Sequence, residues 1–298
     1  MLAVNAKDIV KSYDDRIVVK SLSFKVNSGE IFGLIGPNGA GKTTTIRMIM
    51  DIIKPDSGAI EVLGEKPGDS LKSSLGYLPE ERGLYRKQKV MDAIVYLAAL
   101  KGMDRGSAEK RGTELLERTG MLEAKNKKVE ELSKGMSQII QFIITIIHDP
   151  RLIVLDEPFA SLDPVNTELL KGIVKELRGE GRAIIMSTHQ MNQVEELCDR
   201  VLMVDRGQGV LYGGIPEIKA RFRSRSVLLD FEGELPPIAG VAETHQRSGS
   251  TELVPDENTT PEQVLERLVS SGVKIDRFEV ATPSLNDIFL KVAGQKYE

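Results

Sequence analysis

Residues 36–43 read Gly36-Pro37-Asn38-Gly39-Ala40-Gly41-Lys42-Thr43 and fit the pattern of a loop that wraps around phosphate groups. The apolar run before it, Ile31–Ile35, predicts the buried strand that such a loop follows. Glycines let several backbone N–H groups approach a phosphate, and the helix after the loop adds its positive end. A glycine-rich structural turn is the alternative, but strand, loop and helix in this order favour a nucleotide site.

Within the phosphate loop, which we extend to Thr44, two side chains have expected roles. Lys42 should reach the β- and γ-phosphates of ATP, and the hydroxyl of Thr43 should hold Mg²⁺. The sequence therefore predicts ATP and Mg²⁺ as cofactors, with a helix over Lys42–Ile53 behind the loop.

A second apolar run, Leu152–Leu155, ends in two acidic residues, Asp156 and Glu157. The end of a strand beside a phosphate loop is where a metal-binding aspartate belongs, so we expect Asp156 to hold Mg²⁺. Glu157 would polarise a water for attack on the γ-phosphate. The alternative is that both acids cap the turn before Pro158, but burying two acids without a cation is costly.

The chain before Gly214 alternates short β-branched runs with helical patterns, which predicts an α/β core. The other predicted strands lie at Val4–Val10, Ile60–Leu63, Ala183–Ser187 and Val201–Val204. Helical patterns at Val90–Lys101 and Ser107–Gly120 predict a helical subdomain inserted after the phosphate loop.

The composition changes after Gly214 and predicts a separate small α+β domain. Its predicted elements are a strand at Val227–Phe231, a helix at Pro261–Ser271 entered through Thr260, a strand at Val273–Val280 and a last helix from Thr282-Pro283, with loops at Glu234–Ile238 and Asp256–Thr260. We expect a main domain over residues 1–214, a linker over 215–225 and the small domain over 226–298.

Charge and composition argue against several functions. The 298 residues carry a formal charge of −4 and no Trp, so we expect no nucleic-acid partner. The lone cysteine, Cys198, excludes an internal disulfide, fits a reducing compartment and has the spacing of a buried residue. The apolar stretch Ile139–Ile147 is about half as long as a bilayer-spanning helix, so it predicts a buried helix. Met1–Asp8 has no signal-peptide pattern, and we expect membrane contact only through a partner.

The segment Leu132-Ser133-Lys134-Gly135-Met136 is a further motif. Because of it, the chain resembles the ATP-binding subunits of ABC transporters over roughly residues 2–214. This segment, here called the signature loop, matches the family's Leu-Ser-Gly-Gly-Gln at three of five positions. The resemblance implies a phosphate-loop ATPase core with an antiparallel β region and a helical subdomain at about residues 85–150. It also implies two copies facing head to tail, with Ser133 and Gly135 of one copy against the ATP of the other.

The resemblance assigns roles to further residues. Tyr13 matches the aromatic that stacks on adenine, although an exposed strand tyrosine is the alternative. Ser161–Asp163 matches the loop that crosses the dimer interface, and His189 matches the histidine that senses the γ-phosphate. His148 and His245 match nothing functional, and we expect them to be structural or solvated.

Two departures from the family pattern point to a subgroup. Glu80 stands where the family has a metal- and partner-sensing glutamine, which keeps oxygen ligands for Mg²⁺ but adds charge. Lys134 and Met136 replace the first glycine and the glutamine of the signature loop; Lys134 could meet phosphate, an acidic neighbour or solvent. Together with the segment Glu80–Tyr85, these residues make the chain resemble the cassettes of ABC-2 type exporters, including sodium-exporter-like and drug-resistance cassettes. The tail also resembles the small C-terminal domain that is common in this subgroup.

The resemblance implies the ATP-hydrolysing subunit of an ABC exporter, with Glu157 as the general base and His189 orienting the γ-phosphate. It would lie on the cytoplasmic face of the cell membrane, bound to separate membrane-spanning permease subunits. One alternative is an ATPase of DNA repair, chromosome structure or translation, which the lack of heptads and the single cassette disfavour. The other is a nucleotide-dependent scaffold with little turnover. Glu80 and Met136 keep the scaffold open, whereas Glu157 and His189 argue against it.

Overall fold

The computed structural model describes residues 1–81, 83–222, 225–247 and 249–294. The chain divides into two compact units, residues 1–215 and 216–298. Each unit has its own β-structure and its own cluster of buried apolar side chains.

The first unit holds two sheets. Its strands are β1 (Leu2–Tyr13), β2 (Arg16–Asn27), β3 (Ile31–Ile35), β4 (Ser57–Val62), β5 (Leu75–Leu78), β6 (Leu152–Asp156), β7 (Ala183–Thr188), β8 (Arg200–Asp205) and β9 (Gln208–Gly214). The central sheet has the order β5-β6-β7-β3-β8-β9, in which β9 is antiparallel to β8 and the other neighbours are parallel. A smaller antiparallel sheet has the order β2-β1-β4. Every run predicted as a strand in this unit falls on one of these strands, and the mixed α/β core is confirmed.

The burial of the strands explains their sequence patterns. Every residue of β3, β6 and β7 is buried, as expected for parallel strands covered on both faces, and these strands read as continuous apolar runs. The second half of β2 alternates instead, with Leu22, Phe24 and Val26 buried. Phe24 stacks on Phe32 of β3 with ring centroids 5.6 Å apart, and one apolar cluster joins the two sheets.

The helices described in the first unit are α1 (Lys42–Ile49), α2 (Val90–Ala99), α3 (Arg105–Arg118), α4 (Lys134–Ile146), α5 (Pro164–Gly179) and α6 (Met191–Leu197). Helix α1 begins where predicted but ends before Ile53, because Asp51 takes a left-handed backbone (φ +58°). The carbonyl of Arg47 then accepts the N–H of Ile52 at 2.9 Å, which closes the helix end.

Helices α2 and α3 overlap the two predicted helical segments. Helix α3 starts earlier than Ser107 because the Asp104 carboxylate accepts the Ser107 N–H at 3.0 Å and caps the first turn. Helix α4 contains most of the apolar stretch Ile139–Ile147, which is buried as predicted. In the described ranges, no helix is both long enough and apolar enough to cross a membrane.

The second unit contains one antiparallel sheet and three described helices. The helices are α7 (Ile215–Arg221), α8 (Pro261–Ser270) and α9 (Leu285–Gly294); Ile215 itself is the last residue of the first unit. The strands are β10 (Val227–Glu232), β11 (Val241–Arg247), β12 (Ser250–Pro255) and β13 (Lys274–Val280). The strand order is β11-β12-β10-β13. Leu229, Leu253, Val264 and Leu268 form the buried centre between the sheet and α8.

In the tail, one predicted helix cap is confirmed and the other helix starts later than predicted. Thr260 caps α8 as predicted, in a reciprocal pair with Gln263. The last helix does not start at Thr282-Pro283, because Ser284 provides the cap: its Oγ accepts the Asp287 N–H at 3.1 Å. The segment expected as a linker, 215–225, contains α7, while Arg223 and Ser224 of that expected linker lie outside the described residues. Ser248 and residues 295–298 of the expected small domain lie outside them as well.

Candidate functional site

The carboxyl ends of the parallel strands bring the predicted site residues together. Ile35, the last residue of β3, pairs with Thr188 at the end of β7. Asp156, the last residue of β6, pairs with Ser187 of β7. The phosphate loop, Asp156-Glu157 and His189 therefore follow neighbouring strands at one edge of the central sheet, which is where ligands bind in sheets of this type.

The phosphate loop depends on glycine at two positions. Gly36 has φ +148°, and a Cβ there would lie 2.0 Å from the Val204 carbonyl oxygen. Gly41 has φ +105°, and a Cβ there would lie 2.8 Å from the Val18 carbonyl oxygen. A side chain at either position would collide with backbone, so the tight path of the loop excludes other residues. Gly39 has nothing within 4 Å of its Cβ position, which leaves that side of the loop open.

Lys42 lies inside the loop. Its ammonium donates hydrogen bonds to the carbonyl oxygens of Gly36 at 2.8 Å and Pro37 at 3.1 Å, and the residue is buried. Burial lowers the pKa of Lys42, while the carboxylates of Glu157 and Asp156 act in the opposite direction. Two backbone carbonyl oxygens thus hold the Lys42 ammonium at the loop, where its positive charge can bind an anion.

A cavity of about 350 Å³ lies beside the loop, within the size range of small-molecule binding sites. Its described lining comprises Val18, Asn38, Gly39, Gly41, Lys42, Thr43, Thr44, Glu80, Asp156 and Glu157. The other loop residues, Gly36, Pro37 and Ala40, are not part of the described lining: Gly36 and Ala40 are buried, and Pro37 is exposed.

Asp156 is the most buried acid of the cavity, with 1% of its surface exposed. Its carboxylate accepts hydrogen bonds from Thr43 Oγ1 at 3.2 Å and Ser187 Oγ at 2.7 Å. Burial raises the pKa of Asp156 above the usual range, and the nearby Glu80 and Glu157 add to that effect. A neighbouring cation would therefore favour the charged carboxylate.

Glu157 is fixed by its backbone and by its side chain. Its backbone has a left-handed φ of +49°, which is rare for a residue with a side chain, and its N–H donates to the Ser187 carbonyl at 2.9 Å. The carboxylate accepts hydrogen bonds from Thr188 Oγ1 at 3.1 Å, from the His189 N–H at 3.1 Å and from His189 Nδ1 at 2.8 Å. The structure thus pairs the two residues predicted to be catalytic.

The charge of the cavity fits a divalent cation. Among the described lining residues, Glu80, Asp156 and Glu157 carry negative charge, and Lys42 is the single positive side chain. Hydroxyl and carboxylate oxygens are the ligands that Mg²⁺ prefers, and Thr43 and Asp156 offer them within hydrogen-bond distance of each other. The residues present therefore fit the cofactors expected from the sequence.

The signature loop and Tyr13 are not part of the described lining of this cavity. Ser133 caps α4, where its Oγ accepts the Met136 N–H at 3.1 Å, and Ser133 and Gly135 are outside the described lining. A Cβ on Gly135 would lie 3.1 Å from the Ser161 carbonyl oxygen, so the signature loop touches the segment Ser161–Asp163. Tyr13 ends β1 with 45% of its surface exposed and is also outside the lining.

The remaining histidines and the cysteine have other surroundings. His148 Nε2 lies 3.0 Å from the Leu75 carbonyl, and the pKa of His148 is lowered by burial, which fits a structural role. His245 is exposed and pairs with Glu243 at 2.9 Å. Cys198 is buried directly after α6, and burial raises the pKa of its thiol, which disfavours reactivity.

Sequence reasoning missed three residues that hold the acids in place. Ser187 and Thr188 bind Asp156 and Glu157, and their position directly before His189 was the available signal. Gln138 donates its amide to the Pro158 carbonyl at 3.1 Å and approaches the Glu157 carbonyl at 3.5 Å. No pattern in the sequence links Gln138 to residues so far along the chain.

A phosphate loop, a buried aspartate and a glutamate at the carboxyl ends of neighbouring strands are typical of proteins that hydrolyse nucleotides. Comparisons with known proteins specify the family. Residues 19–160 match the family model described as ABC transporter, and residues 213–293 match the one described as ATP-binding protein DrrA1-3-like, C-terminal domain. The latter supports the predicted resemblance of the tail.

Individual proteins give the same result. The uncharacterised ABC transporter ATP-binding protein YhaQ of Bacillus subtilis is 40% identical and covers 97% of this chain and 98% of its own length. Nod factor export ATP-binding protein I of Rhizobium etli is 34% identical, over 100% of this chain and 95% of its own length. A solved structure of an ATP-binding subunit of an ABC transporter is similar with a TM-score of 0.69 and 30% identity, over 74% of this chain and 93% of that chain.

The chain therefore belongs to the ABC transporter ATP-binding proteins. It is the nucleotide-binding subunit of such a transporter and an ATPase. The fold class predicted from the sequence is confirmed.

Proposed function

We propose that this chain is the ATP-hydrolysing subunit of an ABC-2 type exporter. The observation that carries this proposal is the fixed carboxylate of Glu157 beside a cavity lined by Lys42, Thr43 and Asp156. The similarity to a Nod factor export protein along the whole chain supports export as the direction of transport.

Each predicted residue has a part in this reaction. Lys42 and the N–H groups of the phosphate loop bind the β- and γ-phosphates, and Tyr13 covers the adenine. Thr43, Asp156 and Glu80 would hold Mg²⁺, which would neutralise phosphate charge when bound. Glu157 accepts a proton from the attacking water, and His189, bound to its carboxylate, orients toward the γ-phosphate.

The signature loop acts on the second copy of the chain. Ser133 and Gly135 lie at the N-terminus of α4, where backbone N–H groups and the positive end of a helix suit a phosphate. They do not line the cavity of their own chain, among the residues that the structure describes. In a head-to-tail pair, they would complete the other copy's site and close the dimer on ATP.

Ser133→Arg is expected to leave ATP binding to the single chain within about twofold while lowering turnover tenfold or more, since it removes contacts used only when the reaction site is complete. An arginine at the exposed cap of α4 also blocks close approach of a second copy. Fluorescent-nucleotide titration measures the affinity, and phosphate release measures the turnover.

A mixing experiment distinguishes action on the same chain from action on the partner. Ser133→Arg and Lys42→Ala are each expected to hydrolyse little ATP alone, but their mixed dimer holds one site with an intact phosphate loop from one chain and an intact signature loop from the other. Recovery of phosphate release on mixing is expected. No recovery, together with loss of ATP binding in Ser133→Arg itself, would show that the signature loop serves its own chain.

ATP-binding subunits of this family work with membrane-spanning partners, and the first unit offers a surface for one. An apolar groove of about 360 Å³ lies between β5 and helices α2 and α4, with Ile52 and Leu100 more than half exposed at its edge. It includes Leu84 of the segment Glu80–Tyr85, through which we expect motion to pass to the partner; Arg82 of this segment is outside the described residues. A permease segment in this groove would hold the chain at the cytoplasmic face of the membrane. Recovery of a membrane-spanning protein with the detergent-extracted chain tests this.

We also propose that residues 1–214 are the complete ATP-binding cassette and that 226–298 form an accessory domain. All proposed site residues precede β10, and the tail has its own buried apolar cluster. Truncation after Gly214 should therefore leave ATP affinity within about twofold, because domains with separate cores fold independently. Loss of ATP binding in a truncated protein that shows native thermal unfolding would place the boundary elsewhere.

A further inference from the structure

The backbone at Glu157 and Pro158, which follows Asp156, is held from two sides. On one side, the Glu157 N–H donates to the Ser187 carbonyl of β7 at 2.9 Å. On the other side, the side-chain amide of Gln138 donates to the Pro158 carbonyl at 3.1 Å and lies 3.5 Å from the Glu157 carbonyl oxygen. Since Glu157 has a left-handed backbone that few residues with side chains adopt, these bonds fix a conformation that the chain would not favour alone.

Gln138 is placed where its amide has little contact with solvent. It is 3% exposed and lies in the first half of α4, the helix that Ser133 caps. Because a helix rises about 1.5 Å per residue and is stiff, Ser133 and Gln138 must move together. The Gln138 side chain thus joins the helix of the signature loop to the backbone at Glu157 and Pro158, beside the cavity.

We propose that Gln138 is a positioning residue for ATP hydrolysis, which couples the signature helix α4 to the placement of the Glu157 carboxylate. The inference rests on the proposed function, in which Glu157 is the general base and Ser133 meets the ATP of the second copy. When Ser133 engages that ATP, any shift of α4 reaches the Glu157-Pro158 peptide through the Gln138 amide. Closure of the dimer and alignment of the base in the same chain then become one event.

The test must separate this role from the ordinary stabilising effect of a buried amide. Asn5 provides a matched control, since it is also buried, at 8% exposure, and donates one side-chain hydrogen bond, to Glu61 at 2.9 Å. It lies in β1, and neither residue belongs to the proposed site. Gln138→Met and Asn5→Leu both replace an amide by an apolar side chain of similar size.

Steady-state ATP hydrolysis by the full chain is measured for both variants, together with thermal unfolding. For Gln138→Met, we expect kcat to fall about tenfold or more while the KM for ATP stays within about twofold, as for an interaction used only in the transition state. For Asn5→Leu, we expect kcat to stay within about twofold, whatever its thermal unfolding shows. A Gln138→Met protein with normal kcat and only a lower unfolding temperature would overturn the proposal.

If Gln138→Met does not fold, Gln138→Glu tests the positioning role of Gln138 instead. Its side chain keeps the shape of glutamine but donates a hydrogen bond to the carbonyls only when protonated, and burial beside carbonyl oxygens favours the protonated form. The ratio of its kcat to that of the unmodified chain should therefore be higher at pH 6 than at pH 8. The same ratio at both pH values would overturn the proposal.

Glu157→Gln, measured in parallel, separates this inference from the proposed function on which it rests. If Glu157→Gln hydrolyses ATP at the normal rate, the proposed general base is wrong, and the positioning role falls with it. If Glu157→Gln is inactive while Gln138→Met and Gln138→Glu are normal at every pH, the positioning role alone is wrong.

Discussion

Glu157→Gln is expected to abolish ATP hydrolysis while retaining ATP, so that the protein accumulates as a dimer. The amide oxygen can still accept the hydrogen bond that the His189 N–H now donates to one carboxylate oxygen, and the amide NH2 can donate to Thr188 Oγ1, which now donates to the other. The variant cannot take a proton from water, and loss of a general base costs about 10²- to 10⁴-fold in rate. Lys42, Thr43 and Asp156 are untouched, so ATP binding should survive.

Two measurements check this expectation. Phosphate release should fall by the stated factor, and gel filtration with Mg²⁺ and ATP should show a dimer that the unmodified chain forms only transiently. Glu180→Gln, at an exposed position after α5, makes the same chemical change away from the cavity and should behave as the unmodified chain. A Glu157→Gln protein that binds ATP but stays monomeric would contradict the head-to-tail arrangement.

The same assays address the scaffold alternative left open by Glu80 and Met136. A scaffold would bind ATP with negligible phosphate release in the unmodified chain, so Glu157→Gln would change nothing. Glu80 lies at the exposed rim of the cavity, where its carboxylate retains the oxygen ligands that a glutamine would offer. The negative charge that Glu80 adds, relative to a glutamine, lies in the same cavity as the positive charge of Lys42, which is compatible with ATP turnover.

The sequence predicted the main site because motif residues follow buried strands whose apolar runs are easy to see. Asp156 and Glu157 follow such a run, and parallel strands bring their carboxyl ends to one edge. The hydrogen bonds that fix the acids could not be predicted in this way. Ser187 faces Asp156 only because β7 lies next to β6, and the order of strands within a sheet is not written in local patterns.

Elements with a mixed composition were harder to predict. Strands β11 and β12 were missed because segments such as Val241–Arg247 are rich in polar residues, as a strand at the edge of a sheet can be. The start of α9 was placed at Thr282-Pro283, a sequence that suits a helix start, whereas Ser284 is the residue whose Oγ caps it. The adenine contact of Tyr13 and the partner contact of Ser133 stay predictions, because both depend on molecules other than this single chain.

Lys42→Ala is expected to abolish tight ATP binding. In the structure, the Lys42 ammonium rests on the carbonyl oxygens of Gly36 and Pro37 and is the only positive side chain among the described lining residues. A hydrogen bond to a charged group is worth about 1.5–3 kcal/mol, so losing contacts to two phosphates should raise the Kd for ATP about a hundredfold or more. The carboxylates of Asp156 and Glu157 would then face the phosphates without this charge between them.

Lys110→Ala removes the same charge from an exposed position on α3 and is the matched control. Its Kd for ATP should stay within about twofold, because an exposed charge away from the site is screened by salt. Thermal unfolding without nucleotide verifies that Lys42→Ala still folds, since the carbonyls of Gly36 and Pro37 lose a donor in this variant. A folded Lys42→Ala protein with unchanged ATP affinity would mean that the phosphates bind elsewhere. The roles proposed for Thr43, Asp156 and Glu157 would then lose their common basis, since all three line the cavity into which Lys42 places its charge.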